Sequence, residues 1–211
     1  MHERDAGNAE LCMAREDELR LVLRAKRGHA DAFREIVDAY KERLFAFVWR
    51  IVRHHHEAED ICQTAFVRAY ESLESYSSQY AFSTWLFTIA YRLCLNHLRK
   101  HKAVSGEMDF SRISQDQADA PTELANSEEA RRLRDLIWAA ADKLSPPQKS
   151  AVLLFYREGK SCHEIGLILS MPAVTVKSHL HRARAKLRKL LSAELVDDWM
   201  AIDYLSDSSF G

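Results

Sequence analysis

The sequence has few of the residues that form tight turns, disulfide frameworks or membrane spans. Its 211 residues include six glycines and four prolines, which favours long helices over the short strands of a β-sandwich. The four cysteines lie far apart and form no C-x-x-C pair, and the N-terminus has no apolar signal core. No stretch approaches the roughly 18 to 20 consecutive apolar residues of a membrane span. These absences predict a reduced, cytoplasmic, all-α protein without membrane insertion.

Charge is distributed unevenly, although the net charge is only −1. Residues 19–102 contain fourteen basic and nine acidic residues, and residues 131–189 contain thirteen basic and four acidic residues. Acidic residues predominate at the N-terminus, between these two segments and in the tail. Because the local field steers a charged partner more than the total charge does, the basic segments indicate a surface for a polyanion. Ordinary solvated helix faces are the alternative.

The first basic segment has the apolar spacing of several helices. Between Phe33 and Ile51, apolar residues recur at the i, i+3 and i+4 positions of one buried face. Polar residues at 53–60 predict a break, after which a second helix buries Ile61 and Ala65, together with either Val67 or the pair Ala69 and Leu73. The side chains predicted to face outward on this second helix are Asp60, Gln63 and Thr64.

A third helix is predicted from Ser83, as its N-cap, to about His101, after a short loop rich in serine and aromatic residues. The following segment is polar, acidic and aperiodic, as in a tether. The sequence therefore predicts two small helical domains joined by a flexible linker. The predicted parts are an N-terminal extension (1–18), a helical domain (19–102), an acidic linker (103–130), a second helical domain (131–191) and an acidic tail (192–211).

The second domain contains the pattern of a helix-turn-helix. Ser161 and Glu164 form an S-x-x-E capping box at the start of a short helix that ends near Leu169. Residues 170–172 interrupt it, and a longer helix follows with an apolar seam. The seam residues are Val176, Leu180, Ala183, Leu187 and Leu190. In this motif the second helix fits the DNA major groove.

The second helix of this motif has six basic residues and no acidic residue between Lys177 and Lys189. Exposed helices usually interleave charges of both signs, so a merely solvated helix is disfavoured. Lysine and arginine displace counterions from phosphates, and arginine also bonds guanine edges. The residues predicted to contact DNA are Thr175, Lys177, Ser178, His181, Arg182 and Arg184.

Three stretches of the chain resemble the extracytoplasmic-function sigma factors, the small two-domain promoter-recognition subunits of bacterial RNA polymerase. Residues 58–73 resemble region 2.2, residues 82–101 resemble regions 2.3 and 2.4, and residues 144–187 resemble region 4. The resemblance implies a sigma-2-like bundle and a sigma-4-like helix-turn-helix domain. It also implies core RNA polymerase (its β and β′ subunits), promoter DNA and an anti-sigma factor as partners, and no small-molecule substrate or cofactor.

Carried over by position, the resemblance implies three binding surfaces. The helix-turn-helix residues named above would read the −35 element. Residues on the region 2.2 helix would grip the clamp of the polymerase β′ subunit: Asp60, Gln63, Thr64 and Phe66. A loop and the helix after it would capture an unstacked base of the −10 element and contact the adjoining DNA: Tyr76, Ser77, Ser78, Gln79, Trp85, Tyr91, Arg92, Asn96 and Arg99. For Trp85, and for Phe82 beside it, a role as an anchor of the core is the favoured alternative. Thr64, Arg92 and Ser170 depart from the family's usual Glu, Asn and Gly.

Other interpretations stay open beside this one. A free-standing helix-turn-helix regulator that dimerises through residues 19–102 explains the basic helix equally well. The triplet His54–His56 suggests a metal site, but adjacent histidines are expected to point in different directions, so a solvated turn is favoured. The tail can form an amphipathic helix that docks on a partner or on the basic helix. The sequence contains no Gly-rich phosphate loop, nucleophile elbow or carboxylate pair, so it does not predict an enzyme.

Overall fold

The structure, a computed structural model, describes residues 14–105 and 136–194. The N-terminal body consists of α1 (Arg15–Lys26), α2 (Ala30–Val52), α3 (His55–Glu71), a 3-10 turn (Leu73–Ser75) and α4 (Phe82–Ser105). The C-terminal body consists of α5 (136–142), α6 (Pro146–Val152) with a π-helical turn (Leu153–Arg157), α7 (Cys162–Leu169) and α8 (Ala173–Glu194). These ranges contain no strand, which confirms the predicted all-α class. The predictions for most of the linker and for the docking tail fall outside them.

The N-terminal body is built around α2. Ile36, Tyr40, Leu44 and Phe47 are almost completely buried along one face of this helix, as the apolar spacing predicts. Helices α1, α3 and α4 all pack against α2. Each large apolar side chain buried in this way stabilises the fold by about 1.5–3 kcal/mol. The buried face of α2 therefore fixes where the outward faces of α3 and α4 lie.

The break between α2 and α3 is shorter than the polar run at 53–60 predicts. Arg53 has a left-handed backbone with φ of 61°, and α3 already begins at His55. The ring of His54 caps the new helix, because its Nδ1 accepts a hydrogen bond from the backbone N–H of Glu57 at 3.4 Å. The polar run thus contains the cap and the first turn of α3. These positions carry no apolar periodicity, so the spacing of apolar residues does not reveal the start of the helix.

The buried side of α3 follows the second of the two predicted alternatives. Ala69 is buried, as is Leu73 just after the helix, whereas Val67 is 56% exposed. Phe66 is buried in its place, beside Ile61 and Ala65. A large aromatic side chain gains more from burial than valine does, so the helix turns Phe66 into the core.

The N-terminus of α4 is capped from α1, and the prediction of Ser83 as its N-cap is wrong. The carboxylate of Glu18 accepts hydrogen bonds from the backbone N–H groups of Phe82 at 3.0 Å and Ser83 at 3.1 Å. The hydroxyl of Tyr40 donates to the same carboxylate. A buried carboxylate at a helix N-terminus satisfies free N–H groups and complements the helix dipole. Glu18 therefore belongs to the N-terminal body, because α1 begins at Arg15 rather than at residue 19.

The helix-turn-helix forms as the capping box predicts. The backbone N–H of Glu164 donates to Ser161 Oγ at 3.2 Å, and that of Ser161 donates to Glu164 Oε2 at 3.0 Å. Helix α7 ends at Leu169, and Ser170 has φ of 55° at the position where the family has glycine. In α8 the predicted seam is confirmed as far as Leu187.

Two details of this motif were not predicted. A Cβ atom on Gly166 would lie 2.7 Å from the carbonyl oxygen of Met171, closer than Cβ atoms approach backbone atoms. The absence of a side chain at Gly166 therefore lets the turn fold back onto α7. At the other end of α8, Leu191 is buried and Leu190 only half-buried, so Leu191 completes the seam.

Buried polar contacts join the two bodies. The guanidinium of Arg43 in α2 contacts Glu158 Oε2 through Nη2 at 2.7 Å and through Nε at 3.0 Å. Their side chains are only 11% and 1% exposed. At the start of α4, Thr84 Oγ1 donates to Glu164 Oε1 at 2.8 Å, and Lys160 donates to the Ser83 hydroxyl. Helix α7 thus packs against α4.

In the part of the chain that the structure describes, no helix is both long enough and apolar enough to traverse a bilayer.

Candidate nucleic-acid interface

The exposed side of α8 forms an open groove. Its lining residues are Val174, Lys177, Ser178, His181, Arg182 and Arg184. Five of these six belong to the set predicted to contact DNA. The exception is Val174, which is 70% exposed, whereas the predicted Thr175 is only half-exposed and lies outside the lining. The predicted DNA residues therefore come together on one surface.

Local hydrogen bonds orient the side chains of this groove. Ser178 Oγ donates to the carbonyl oxygen of Val174 at 3.0 Å, and Arg182 Nε donates to the carbonyl oxygen of Ser178 at 3.2 Å. Arg184 Nε donates to the hydroxyl of Tyr156 at 2.7 Å, which holds Arg184 against the turn after α6. Lys177 and Arg182 are exposed. Their exposure makes these two side chains accessible to a phosphate or a base edge.

The positive charge of the groove comes from lysine and arginine. Burial, with the nearby charge of Arg182 as a smaller cause, lowers the pKa of His179. That imidazole is therefore neutral at neutral pH. Lysine and arginine stay charged throughout the physiological range, so Lys177, Arg182 and Arg184 give the groove a permanent positive charge.

The residues predicted to contact the −10 element lie in two environments. Tyr76 and Tyr91 are buried, and Trp85 is half-buried. The Tyr76 ring lies 5.5 Å from the rings of both Phe82 and Trp85, measured between centroids. Burial is the main cause that raises the pKa of Tyr76 to about 12, and its hydroxyl donates to the carbonyl oxygen of Tyr80 at 2.8 Å. Tyr76, Phe82 and Trp85 therefore support the loop from the side of the core. The exposed members of the set are Ser77, Ser78, Gln79, Arg92, Asn96 and Arg99.

Two basic residues of α1, which the sequence analysis missed, hold this loop in place. Arg15 Nη2 donates to the carbonyl oxygens of Ser78 at 3.0 Å and Gln79 at 3.2 Å. Lys26 Nζ donates to the carbonyl oxygen of Tyr76 at 2.9 Å. A charged donor on a backbone carbonyl makes a stronger hydrogen bond than a neutral one. The loop is therefore anchored at both ends, with its polar side chains facing outward.

Three of the four predicted polymerase-binding residues share one exposed face of α3. Asp60, Gln63 and Thr64 are exposed, and their spacing places them on the same side as Val67. Phe66, the fourth residue of the predicted set, lies on the opposite side in the core. The exposed Val67, which was not predicted, adds an apolar centre to this face. Apolar centres with a polar rim are typical of protein-binding surfaces.

The histidine triplet does not point apart as expected. The Nδ1 atoms of His55 and His56 lie 3.4 and 3.3 Å from Glu59 Oε2. The side chains of His55, His56 and Glu59 all lie at the surface. The His55 ring also packs on the Phe45 ring, with centroids 5.1 Å apart. These contacts account for His55 and His56 as part of the first turn of α3, and His54 is the cap residue before it.

Comparison with known families matches both bodies. The family model "Sigma-70 region 2" matches residues 36–104. The family model "Sigma-70, region 4" matches residues 134–187. The two matches separate at the segment that the sequence analysis predicts to be a linker.

Curated relatives cover most of the chain. The ECF RNA polymerase sigma factor SigW of Bacillus subtilis is 37% identical over 179 residues, which is 81% of this chain and 94% of that protein. The RNA polymerase sigma-H factor of Pseudomonas aeruginosa is 30% identical, covering 85% of this chain and 96% of that protein. The ECF RNA polymerase sigma-E factor of Escherichia coli is 30% identical, with 78% and 88% covered.

Solved structures share the fold. The sigma factor RpoE in complex with the anti-sigma factor NepR, from Bartonella quintana, has a TM-score of 0.64 and 25% identity, covering 76% of this chain and 96% of that one. CnrH in complex with the cytosolic domain of CnrY has a TM-score of 0.62, with 84% and 98% covered. At 21% identity, the second likeness supports the fold alone.

Proposed function

Because the chain belongs to the extracytoplasmic-function (ECF) sigma factors of the sigma-70 family, we propose that it binds core RNA polymerase through the outward face of α3 and reads two promoter elements with its two bodies. The groove of α8 reads the −35 element, and the anchored loop with the exposed side of α4 reads the −10 element. The protein acts in the bacterial cytoplasm, associated with the nucleoid when active.

The observation that carries this proposal is the coincidence of the predicted DNA residues with the groove of α8. Lys177 and Arg182 supply phosphate and guanine contacts, and Ser178 lets the backbone approach. The free-standing regulator would share this groove. It leaves the anchored loop and the exposed face of α3 without a role, whereas region 2 of a sigma factor uses both.

Opening of the −10 element needs a site for a base that has left the stack. Unstacking costs a few kcal/mol, which stacking and hydrogen bonds to the displaced base can offset. The loop side chains Ser77, Ser78 and Gln79 are exposed polar groups. Arg15 orders the backbone at Ser78 and Gln79 before DNA arrives. An ordered loop loses less entropy on binding than a mobile one. The loop is therefore suited to capture one unpaired base.

The two bodies must separate on the promoter. Elements named for positions −35 and −10 lie about 25 base pairs apart, which is roughly 85 Å of duplex at 3.4 Å per base pair. Bodies that touch through Arg43 and Glu158 cannot span that distance. We propose that the contact between them opens when polymerase and DNA bind. The relative RpoE was solved with an anti-sigma factor, which supports a partner of that class for this chain.

Reversing the charge at Asp60 tests the polymerase contact. The Asp60→Arg variant is expected to bind core RNA polymerase at least about tenfold more weakly, because a misplaced charge in an interface costs more than about 1.4 kcal/mol. Affinity is measured with immobilised core polymerase at fixed salt. Asp38→Arg makes the same charge change at an exposed site on α2 and serves as the matched control, with wild-type affinity expected. Equal affinities for the wild type and Asp60→Arg would show that the outward face of α3 does not bind polymerase.

A further inference from the structure

Three metal-ligating side chains meet where the start of α3 approaches the end of α4, outside the surfaces assigned above. They are Glu57, His97 and His101, and one ligating atom from each lies within 4.8 Å of the others. Nδ1 of His97 is 3.2 Å from Glu57 Oε2. The rings of His97 and His101 have centroids 4.3 Å apart. The cluster thus joins two helices that are packed against each other.

The backbone already fixes the positions of the three side chains. His97 and His101 are four residues apart on α4, so both project from the same side of that helix. Glu57 lies in the first turn of α3, and its backbone N–H is bonded to the cap residue His54. Because α3 and α4 pack together, forming a common ligand sphere requires rotation of side chains and no rearrangement of helices.

An ion pair alone does not explain two imidazoles beside one carboxylate. A single protonated histidine would neutralise Glu57, and a second would place like charges close together. Each neutral imidazole has one ring nitrogen with a lone pair that can bind a metal ion. A divalent cation can take lone pairs from both rings and from the carboxylate.

We propose that Glu57, His97 and His101 form a binding site for a divalent transition-metal ion, with Zn²⁺ as the preferred ion. Two imidazole nitrogens and one carboxylate oxygen suit zinc and its borderline neighbours, whereas magnesium and calcium prefer oxygen ligands alone. Tetrahedral zinc with ligands at about 2.0–2.2 Å places its donor atoms roughly 3.3 Å apart. The distance of 3.2 Å between His97 Nδ1 and Glu57 Oε2 is already close to this value. His101 must approach them by a side-chain rotation. Three protein ligands leave the fourth position for water or another donor.

The site has a consequence for DNA binding that rests on the proposed function. His97 directly follows Asn96, and His101 lies two residues after Arg99, both predicted −10 contacts. A bound dication would tie the end of α4 to α3 and add positive charge beside these residues. Metal binding itself does not depend on that function. A protein that binds no metal could still act as a promoter-recognition subunit, and the reverse also holds.

Metal titration of the full chain tests the site. After removal of metals with a chelator, ZnCl₂ is titrated by calorimetry, and CoCl₂ is followed by its visible absorption. The wild type is expected to bind one ion with micromolar or tighter affinity. His101→Ala, at an exposed position, is expected to weaken binding by at least about tenfold with an unchanged circular dichroism spectrum. His56→Ala removes a member of the neighbouring cluster His55, His56 and Glu59 and is expected to bind like the wild type.

A cysteine at the same position gives a spectroscopic signature that a structural role would not produce. His101→Cys is expected to bind Co²⁺ and to add a sulfur-to-cobalt charge-transfer band that the wild type lacks. Equal affinity of the wild type and His101→Ala for Zn²⁺, or no binding by the wild type at 100 µM ZnCl₂, would overturn the proposal. So would loss of binding in His56→Ala, or a sulfur-to-cobalt band in the wild type, since either places the ion elsewhere.

Discussion

Replacing Lys177 and Arg182 together by alanine is expected to lower the affinity of the polymerase-bound protein for −35 duplex DNA by about 100-fold or more. An arginine that bonds a base edge contributes about 1–3 kcal/mol, and a lysine on a phosphate adds the release of its counterions. Both side chains are exposed, so the fold is expected to survive. Fluorescence anisotropy at several salt concentrations measures the effect, and the salt dependence of log K is expected to become shallower by about one for each lost phosphate contact.

The matched control for this experiment removes two exposed basic residues of the N-terminal body. Arg20 pairs with Asp17 within α1, and Lys41 pairs with Asp38 within α2. The double variant Arg20→Ala/Lys41→Ala has the same loss of charge and is expected to keep DNA affinity to within a few-fold. If both double variants lose affinity equally, the groove of α8 is not the recognition surface and only total charge matters.

Replacing Arg43 by methionine is expected to separate the two bodies in the free protein. Without Arg43, the buried carboxylate of Glu158 keeps only the more distant Arg157, whose Nε lies 3.9 Å from Glu158 Oε1. Removing one partner of a buried ion pair costs about 3–5 kcal/mol when no other cation compensates, and Arg157 reduces that cost here. Glu158, whose side chain is 1% exposed, would regain hydration when the bodies separate. Small-angle X-ray scattering is expected to show a larger radius of gyration for Arg43→Met, with unchanged helical content by circular dichroism.

The swapped pair Arg43→Glu/Glu158→Arg controls for lost packing. It restores opposite charges at the same positions and is expected to return the radius of gyration toward the wild-type value. A radius of gyration for Arg43→Met that equals the wild type would show that this ion pair does not hold the bodies together.

Local sequence signals predicted the C-terminal body closely, because its determinants lie a few residues apart. The capping box of Ser161 and Glu164 and the break at Ser170 gave α7 its observed bounds. The N-terminal body depends more on distant contacts. The cap of α4 comes from Glu18, more than sixty residues earlier in the chain, and no local pattern marks such a contact. Ser83 is the best cap that local sequence offers, and the structure uses Glu18 instead.

In the candidate surfaces too, features set by nearby residues were predicted and features set by distant contacts were not. Exposure of Asp60, Gln63 and Thr64 follows from helical spacing and was predicted. Burial of Tyr76 and Tyr91 depends on neighbours from other helices and was not predicted. Lys26, which anchors the loop, and the pair of Glu57 with His97 both act across 40 residues or more of sequence. Only the packing of α1, α3 and α4 brings those groups together.

Run-off transcription with purified core RNA polymerase on fragmented genomic DNA tests the central claim most directly. With the wild-type chain, sequencing of transcript ends is expected to reveal start sites that are absent with core polymerase alone and that share two upstream elements at constant spacing. The Lys177→Ala/Arg182→Ala variant is expected to lose most of these starts. If the wild-type chain adds no start sites to core polymerase, it is not acting as a promoter-recognition subunit, and the proposed function is wrong.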